Sequence, residues 1–195
     1  MTCAATDESK VWREWSRWYD GVPPLSHLLR VSFPDRWLRI HNFSGRQRIP
    51  RSTRDNEEVL KRNRGAATAV LEVGSKCVGF LASYGNGGAP RRYDECSWLP
   101  SPPQPKWRVD PDWVEELSEA NFLVARFTWA PQCMDEVILY AARDEIGPVI
   151  VLSLLTGGGY SPYDGGADLF VAEPGAVPVV RAQLSRWVSK LPSGL

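Results

Sequence analysis

The stretch STRDNEEVLKRNRGAATAVLEVGSKCVGFLAS, residues 52–83, changes hydrophobic period part-way along, and that change decides the fold class. Ser52 with Asp55 three positions on resembles a capping box, in which a hydroxyl accepts an N–H of the first helical turn. Behind it Val59, Leu60, Ala66, Ala67, Val70 and Leu71 fall on one stripe of a helix that ends near Gly74. Cys77 to Ser83 then loses the helical period. A short apolar run bounded by Gly74 and Gly85 reads as a buried strand leading out of the helix.

Outward from that unit the elements alternate. Upstream, Trp12, Trp15 and Tyr19 stand at helical spacing, and Leu25, Leu28, Leu29 and Phe33 repeat it after the Pro23-Pro24 break, so two short helices are expected. Trp37 to Asn42 reads as a strand with Leu38 and Ile40 on one face and Trp37, Arg39 and His41 on the other. Downstream, 85–112 is rich in Gly and Pro and reads as one long loop. Phe122 to Trp129 alternates as a strand, and Met134, Val137, Ile138, Ala141, Ala142 and Ile146 make a helix closed by Gly147 and Pro148. Val149 to Leu155 and Ala167 to Ala172 are read as strands of a hairpin turning at Asp164-Gly165. Val180, Leu184, Trp187, Val188 and Leu191 space as a last helix stopped by Pro192. The expected architecture is α+β: a mixed, mainly antiparallel sheet with helices mostly on one face, in a single domain over 1–195 whose first ten residues are flexible.

Length and charge narrow the function classes. At 195 residues the chain can bury a core without disulfides or metal. Lys plus Arg number 23 and Asp plus Glu 23, so no global field attracts nucleic acid or anionic lipid, and any electrostatic partner must meet a local patch. Met1 to Trp12 is polar and acidic rather than basic and then apolar, and the run Val149 to Leu155 is soon broken by Gly157, Gly158 and Gly159. Neither a secretory leader nor a membrane span is expected, and the expected location is cytoplasmic. Cys3, Cys77, Cys96 and Cys133 form no CxxC pair, so reduced thiols are expected rather than a zinc knuckle or a disulfide framework. Arg-rich, Lys-poor usage suits a GC-rich bacterial coding sequence.

The sharpest local feature is the glycine-dense segment Gly157 to Asp168, carrying Tyr160, Tyr163, Asp164 and Asp168. It lacks the Gly-Lys-Ser/Thr of a phosphate loop, and two carboxylates are too few for a hard cation, so no metal or cofactor is expected. Asp164 and Asp168 could form a general acid/base pair beside His41. Against that stands plain turn chemistry, with glycines supplying positive φ and Asp164 bonding its own backbone.

Residues 36–64 hold Arg36, Arg39, Arg46, Arg48, Arg51, Arg54, Lys61, Arg62 and Arg64 against Asp55, Glu57 and Glu58. Arginine forks suit carboxylate and phosphate alike, and the competing reading is a solvated face neutralised by acids from elsewhere in the fold. No RNA-stacking consensus or helix-turn-helix accompanies the patch. His27 and His41 are the two imidazoles, and His41 shares a face with Arg39. No Gly-x-Ser-x-Gly elbow or His-Glu-x-x-His run is present. Cys133 stands near a helix start, a position that can lower a thiol's pKa, but with no nearby His or motif around it a buried or incidental thiol is the expectation. Trp98, Trp107 and Trp113 decorate the long loop either as partner anchors or as staples folded back over the sheet.

The strings Phe33-Pro-Asp-Arg-Trp-Leu-Arg-Ile-His41 and Tyr163-Asp-Gly-Gly-Ala-Asp168, with Trp187 and Pro192, resemble a family of small uncharacterised bacterial proteins, from about Pro24 onward. That family carries no activity to inherit, so the resemblance assigns no role to any residue. It departs at Gly45-Arg-Gln-Arg-Ile49, where a Ser-Lys-Arg-Tyr-like run stands in the family pattern. With no catalytic motif, uneven charge and aromatic loops, the leading expectation is a non-enzymatic bacterial protein-binding module of the kind that includes immunity and inhibitor proteins for toxins. Its binding residues would be Arg39, His41, Tyr163, Asp164, Asp168, Trp98 and Trp107. The alternatives are a hydrolase acting on a phosphorylated or sugar-like substrate through His41, Asp164 and Asp168, and nucleic-acid binding through 36–64.

Overall fold

A computed structural model describes residues 4–45, 47–84, 107–109 and 120–189 of the chain. Its strands form one seven-stranded sheet. In chain order they are β1 (Trp37–His41), β2 (Lys76–Tyr84), β3 (Trp107–Val109), β4 (Ala120–Thr128), β5 (Val149–Ser153), β6 (Gly159–Tyr163) and β7 (Gly166–Phe170). Across the sheet the order is β1-β7-β6-β5-β2-β4-β3. Every pairing between these strands is antiparallel, so the parallel contact that a mixed sheet would need is absent among the described residues. The helices are α1 (Ala4–Tyr19), α2 (Ser26–Ser32), α3 (Thr53–Leu71), α4 (Asp135–Ala142) and α5 (Val177–Gln183).

The capping signal before α3 is realised: Ser52 Oγ accepts the Asp55 N–H at 3.2 Å, while the Asp55 carboxylate accepts the Arg51 N–H at 2.8 Å. That N–H, with help from Gln47 and Ser52, holds the exposed Asp55 carboxyl below its ordinary value. The stripe Val59, Ala66, Ala67, Val70 and Leu71 then packs with α4, α5 and one face of the sheet. The opposite face is also covered. Trp15 and Tyr19 of α1 and Leu29 of α2 bury against Phe80, Phe122 and Phe170, and the Trp15 indole N–H donates to Val22 O at 2.6 Å. Three helices therefore cover one face and two the other, which divides the apolar interior into two cores on either side of the sheet. Fully burying each large side chain contributes about 1.5–3 kcal/mol.

Three expectations are corrected. The hairpin that turns at Asp164-Gly165 joins β7 not to β5 but to an additional strand, β6, which starts at Gly159 within the glycine-dense segment and runs between β5 and β7. The segment's glycines are needed because neighbours come too close for a side chain. A Cβ on Gly158 would overlap the Val70 carbonyl of α3, and one on Gly159 would meet the Tyr19 hydroxyl. Second, the last helix stops at Gln183. Val188 bridges Ile40, Trp187 O accepts the His41 N–H at 3.0 Å, and Ser189 N–H donates to Arg39 O at 2.9 Å. That segment covers the free edge of β1, where unpaired backbone groups would otherwise stay exposed. Third, part of the long loop over 85–112 is ordered as β3, with Trp107 opposite Phe122 and Val109 opposite Ala120. Trp98, Trp113 and the Trp107 side chain lie outside the described residues.

Candidate functional site: an arginine-centred cleft on β1, β7 and β6

Alternation along β1 sends Leu38 and Ile40 into the core beneath α3, and Trp37, Arg39 and His41 to the other face. Register does the rest. Arg39 lies opposite Asp168, and Asp168 opposite Ser161, so Arg39 and Asp168 share a face. Asp168 Oδ1 accepts Arg39 Nε at 2.8 Å and Trp37 Nε1 at 2.9 Å, and Oδ2 accepts Arg39 Nη2 at 3.0 Å. The arginine and aspartate side chains are 10% and 3% exposed. The guanidinium carbon also lies 5.2 Å from the Trp37 ring centroid and 4.9 Å from that of Tyr163, a stacked, bidentate setting that lysine could not reproduce. Burial pulls the Arg39 pKa down, but the hydrogen bonds and charge of Asp168 outweigh it and the net shift is upward.

Beside this pair opens a cleft of about 370 Å³ lined by Arg39, His41, Phe43, Gln47, Arg48 and Tyr163, with Gly45 and Gly165 at its rim. Arg48, on the loop after β1, reaches across to Asp164 at 2.8 Å. Turn chemistry does not account for Asp164-Gly165 as expected. Neither residue has positive φ, and the Asp164 carboxylate bonds Arg48; within Gly157–Asp168 only Gly157, at φ 69, takes the left-handed conformation. The bare Cα of Gly165 leaves room for Arg48 and the Tyr163 ring, both within 4 Å of where a Cβ would sit.

The cleft is rich in donors. Burial first, then Arg39 and Arg62, hold the His41 imidazole below its ordinary value of 6.5, so it is neutral at pH 7. Burial raises the Tyr163 phenol, with Arg39 opposing, so it too stays protonated. Arg39 and Arg48, each also bound to an aspartate, complete a lining whose side-chain types suit a planar acceptor such as a carboxylate.

Of the sequence candidates, Arg39, His41 and Tyr163 line one cleft, with Asp168 behind Arg39 and Asp164 on Arg48. Phe43 and Gln47 carry no signal in the residue string, and Trp37 and Arg48 stand there only as a face-mate of Arg39 and as one of nine basic residues. Alternation places Trp37 beside Arg39, but nothing in the residue string marks Arg48 apart from its basic neighbours. Much of the basic segment is internally neutralised: Arg62 pairs with Glu58, Arg64 with Asp135, and Arg36 donates to the Val171 and Trp18 carbonyls. The Cys133 thiol pKa is raised by burial, as is that of Cys77, which fits the reading of an unreactive thiol rather than one activated by the nearby helix start. Among the described residues no group of three His, Cys, Asp or Glu could hold a metal ion, and no helix is long and apolar enough to cross a membrane.

The family model described as Domain of unknown function (DUF3885) matches residues 25–192, so the match takes in every strand and the whole cleft. The chain belongs to that family. No curated protein and no solved structure matches it.

Proposed function

We propose that this protein is a non-enzymatic binding module that receives an acidic segment of another protein in the cleft of Arg39, His41, Arg48 and Tyr163. The observation that carries the reading is the state of the two aspartates. Asp168 accepts three hydrogen bonds from Arg39 and Trp37, and Asp164 is tied to Arg48. Their role is to fix arginines, which leaves donors and aromatic surface facing the cleft and no carboxylate poised for proton transfer. The hydrolase reading has less support for that reason, and the nucleic-acid reading because Arg36, Arg62 and Arg64 of the basic segment are engaged away from the cleft by backbone carbonyls, Glu58 and Asp135. An immunity or inhibitor protein facing an acidic patch on a toxin is one member of the proposed class.

Calorimetric titration with a short peptide of consecutive Asp and Glu tests it. Binding should weaken as salt rises, since the contacts are charged and near the surface. Tyr163→Ala should weaken it about 30-fold if the ring is a central anchor. A lysine-rich peptide binding equally well, or no binding by either, would overturn the proposal.

A further inference from the structure

A second cavity, of about 660 Å³, opens on the opposite face of the sheet between α3 and α5. Ala69 and Val70 of α3, Val180 and Leu184 of α5, and the half-buried Trp187 form its apolar walls. Gly65 is required there, because a Cβ at that position would press on the Trp187 ring at 2.8 Å. The volume suits a small organic ligand.

Its charge is one-sided. Glu72 and Glu173 are the only charged residues lining it, and no Lys, Arg or His does so. Among the described residues neither carboxylate makes an ion pair or side-chain hydrogen bond. Glu72 is also badly placed for helix stability. It caps the C-terminal end of α3, where the helix dipole is negative, and the last turn of α3 holds no basic residue. It does so at φ 63, a backbone conformation that glycine adopts more readily. An acid held against the local preference, at the mouth of an apolar cavity with an indole wall, is the arrangement that a cation with an apolar body would satisfy. Carboxylates and the helix end attract the charge, the indole face offers a cation–π contact, and the aliphatic walls take the body.

We propose that this cavity is a binding site for a small organic ammonium ion carrying an aromatic or alkyl body. The site is independent of the acidic-segment cleft, and either can fail alone.

The test titrates the isotopically labelled protein with 4-phenylbutylammonium, 4-phenylbutanol and 4-phenylbutyrate, following amide and indole N–H signals by NMR. The ammonium should shift the Trp187 indole and Gly158 amide and bind about 5- to 20-fold tighter than the alcohol, each exposed carboxylate giving up to about 5-fold. The carboxylate should not bind. Glu72→Gln with Glu173→Gln removes no packing and relieves the helix end, so the variant should fold and bring ammonium and alcohol to equal affinity. Equal binding of all three probes to the wild type, ammonium shifts confined to other regions, or no shifts at all would overturn the proposal.

Discussion

Replacing Asp168 by alanine removes the acceptor on which β1 and its arginine are anchored. The carboxylate takes Arg39 Nε at 2.8 Å, Arg39 Nη2 at 3.0 Å and Trp37 Nε1 at 2.9 Å, so three donors lose their partner at once. Breaking a buried ion pair from one side costs about 3–5 kcal/mol, because the remaining charge stays desolvated. Here the arginine side chain keeps 10% exposure at the cleft wall and its stacking on two rings, which sets the expected loss near the lower limit, about 3 kcal/mol. With a urea dependence of about 3 kcal/mol per molar at this chain length, the unfolding midpoint should fall by about 1 M. Urea titration followed by tryptophan fluorescence and far-ultraviolet circular dichroism reads it. The double replacement Arg39→Met with Asp168→Leu removes both charges, leaves only the Trp37 indole N–H without its acceptor, and should recover part of the loss. A midpoint shift below about 0.3 M for Asp168→Ala would refute the reasoning, since the pair would then hold nothing of consequence.

Gly166→Ala should cost about 3 kcal/mol in the same assay, because the new Cβ would overlap the Ile40 carbonyl across the β1–β7 ladder; a wild-type midpoint would mean that β1 does not lie against β7. Asn63 donates to Asn42 Oδ1 at 2.7 Å and accepts the Tyr160 hydroxyl at 2.9 Å in a buried network. Asn63→Leu, which strands both partners, should cost about 2–4 kcal/mol against about 1 for Tyr160→Phe, and equal losses would rule the network out. His41 has a folded-state value below its ordinary 6.5, so its neutral form is the one that folding favours. Its contribution to stability is therefore complete above about pH 6.5 and is lost as pH falls towards and through the lower folded value. His41→Gln should flatten the decline in unfolding midpoint between about pH 7 and 5, and a ring-proton titration midpoint at or above 6.5 would contradict the assignment.

What the residue string discloses depends on whether the cause is local. The α3 cap and the alternation of Trp37, Arg39 and His41 follow from short-range stereochemistry and are present in the fold, whereas α4 stops at Ala142, short of the expected end at Gly147-Pro148. The glycines at 157–159 hide the start of β6 at Gly159, because glycine has low strand propensity. Their cause is the close passage of Trp18 at Gly157, Val70 at Gly158 and Tyr19 at Gly159, all far away in sequence. The last helix misleads for a related reason. Helical spacing continues through Val188, but the backbone from Trp187 to Ser189 gains more by pairing with the bare edge of β1. At the cleft, sequence singles out Arg39, His41, Tyr163, Asp164 and Asp168, yet not the pairing that makes the acids structural partners of Arg39 and Arg48. That division needs the register of β1 on β7, which a single-residue slip would reverse. The second cavity left no trace at all, since its glutamates and its indole come from α3, the segment after β7 and the segment after α5.

A photo-crosslinking phenylalanine analogue at Phe43, on the cleft wall, addresses the recognition claim at its centre. Irradiation of the native host's proteins with this variant should join a peptide dense in Asp and Glu to position 43, and adding Arg48→Ala and Tyr163→Ala to the same chain should abolish the adduct. An adduct that survives those substitutions, or forms as readily from the exposed Val179 on α5, would contradict it.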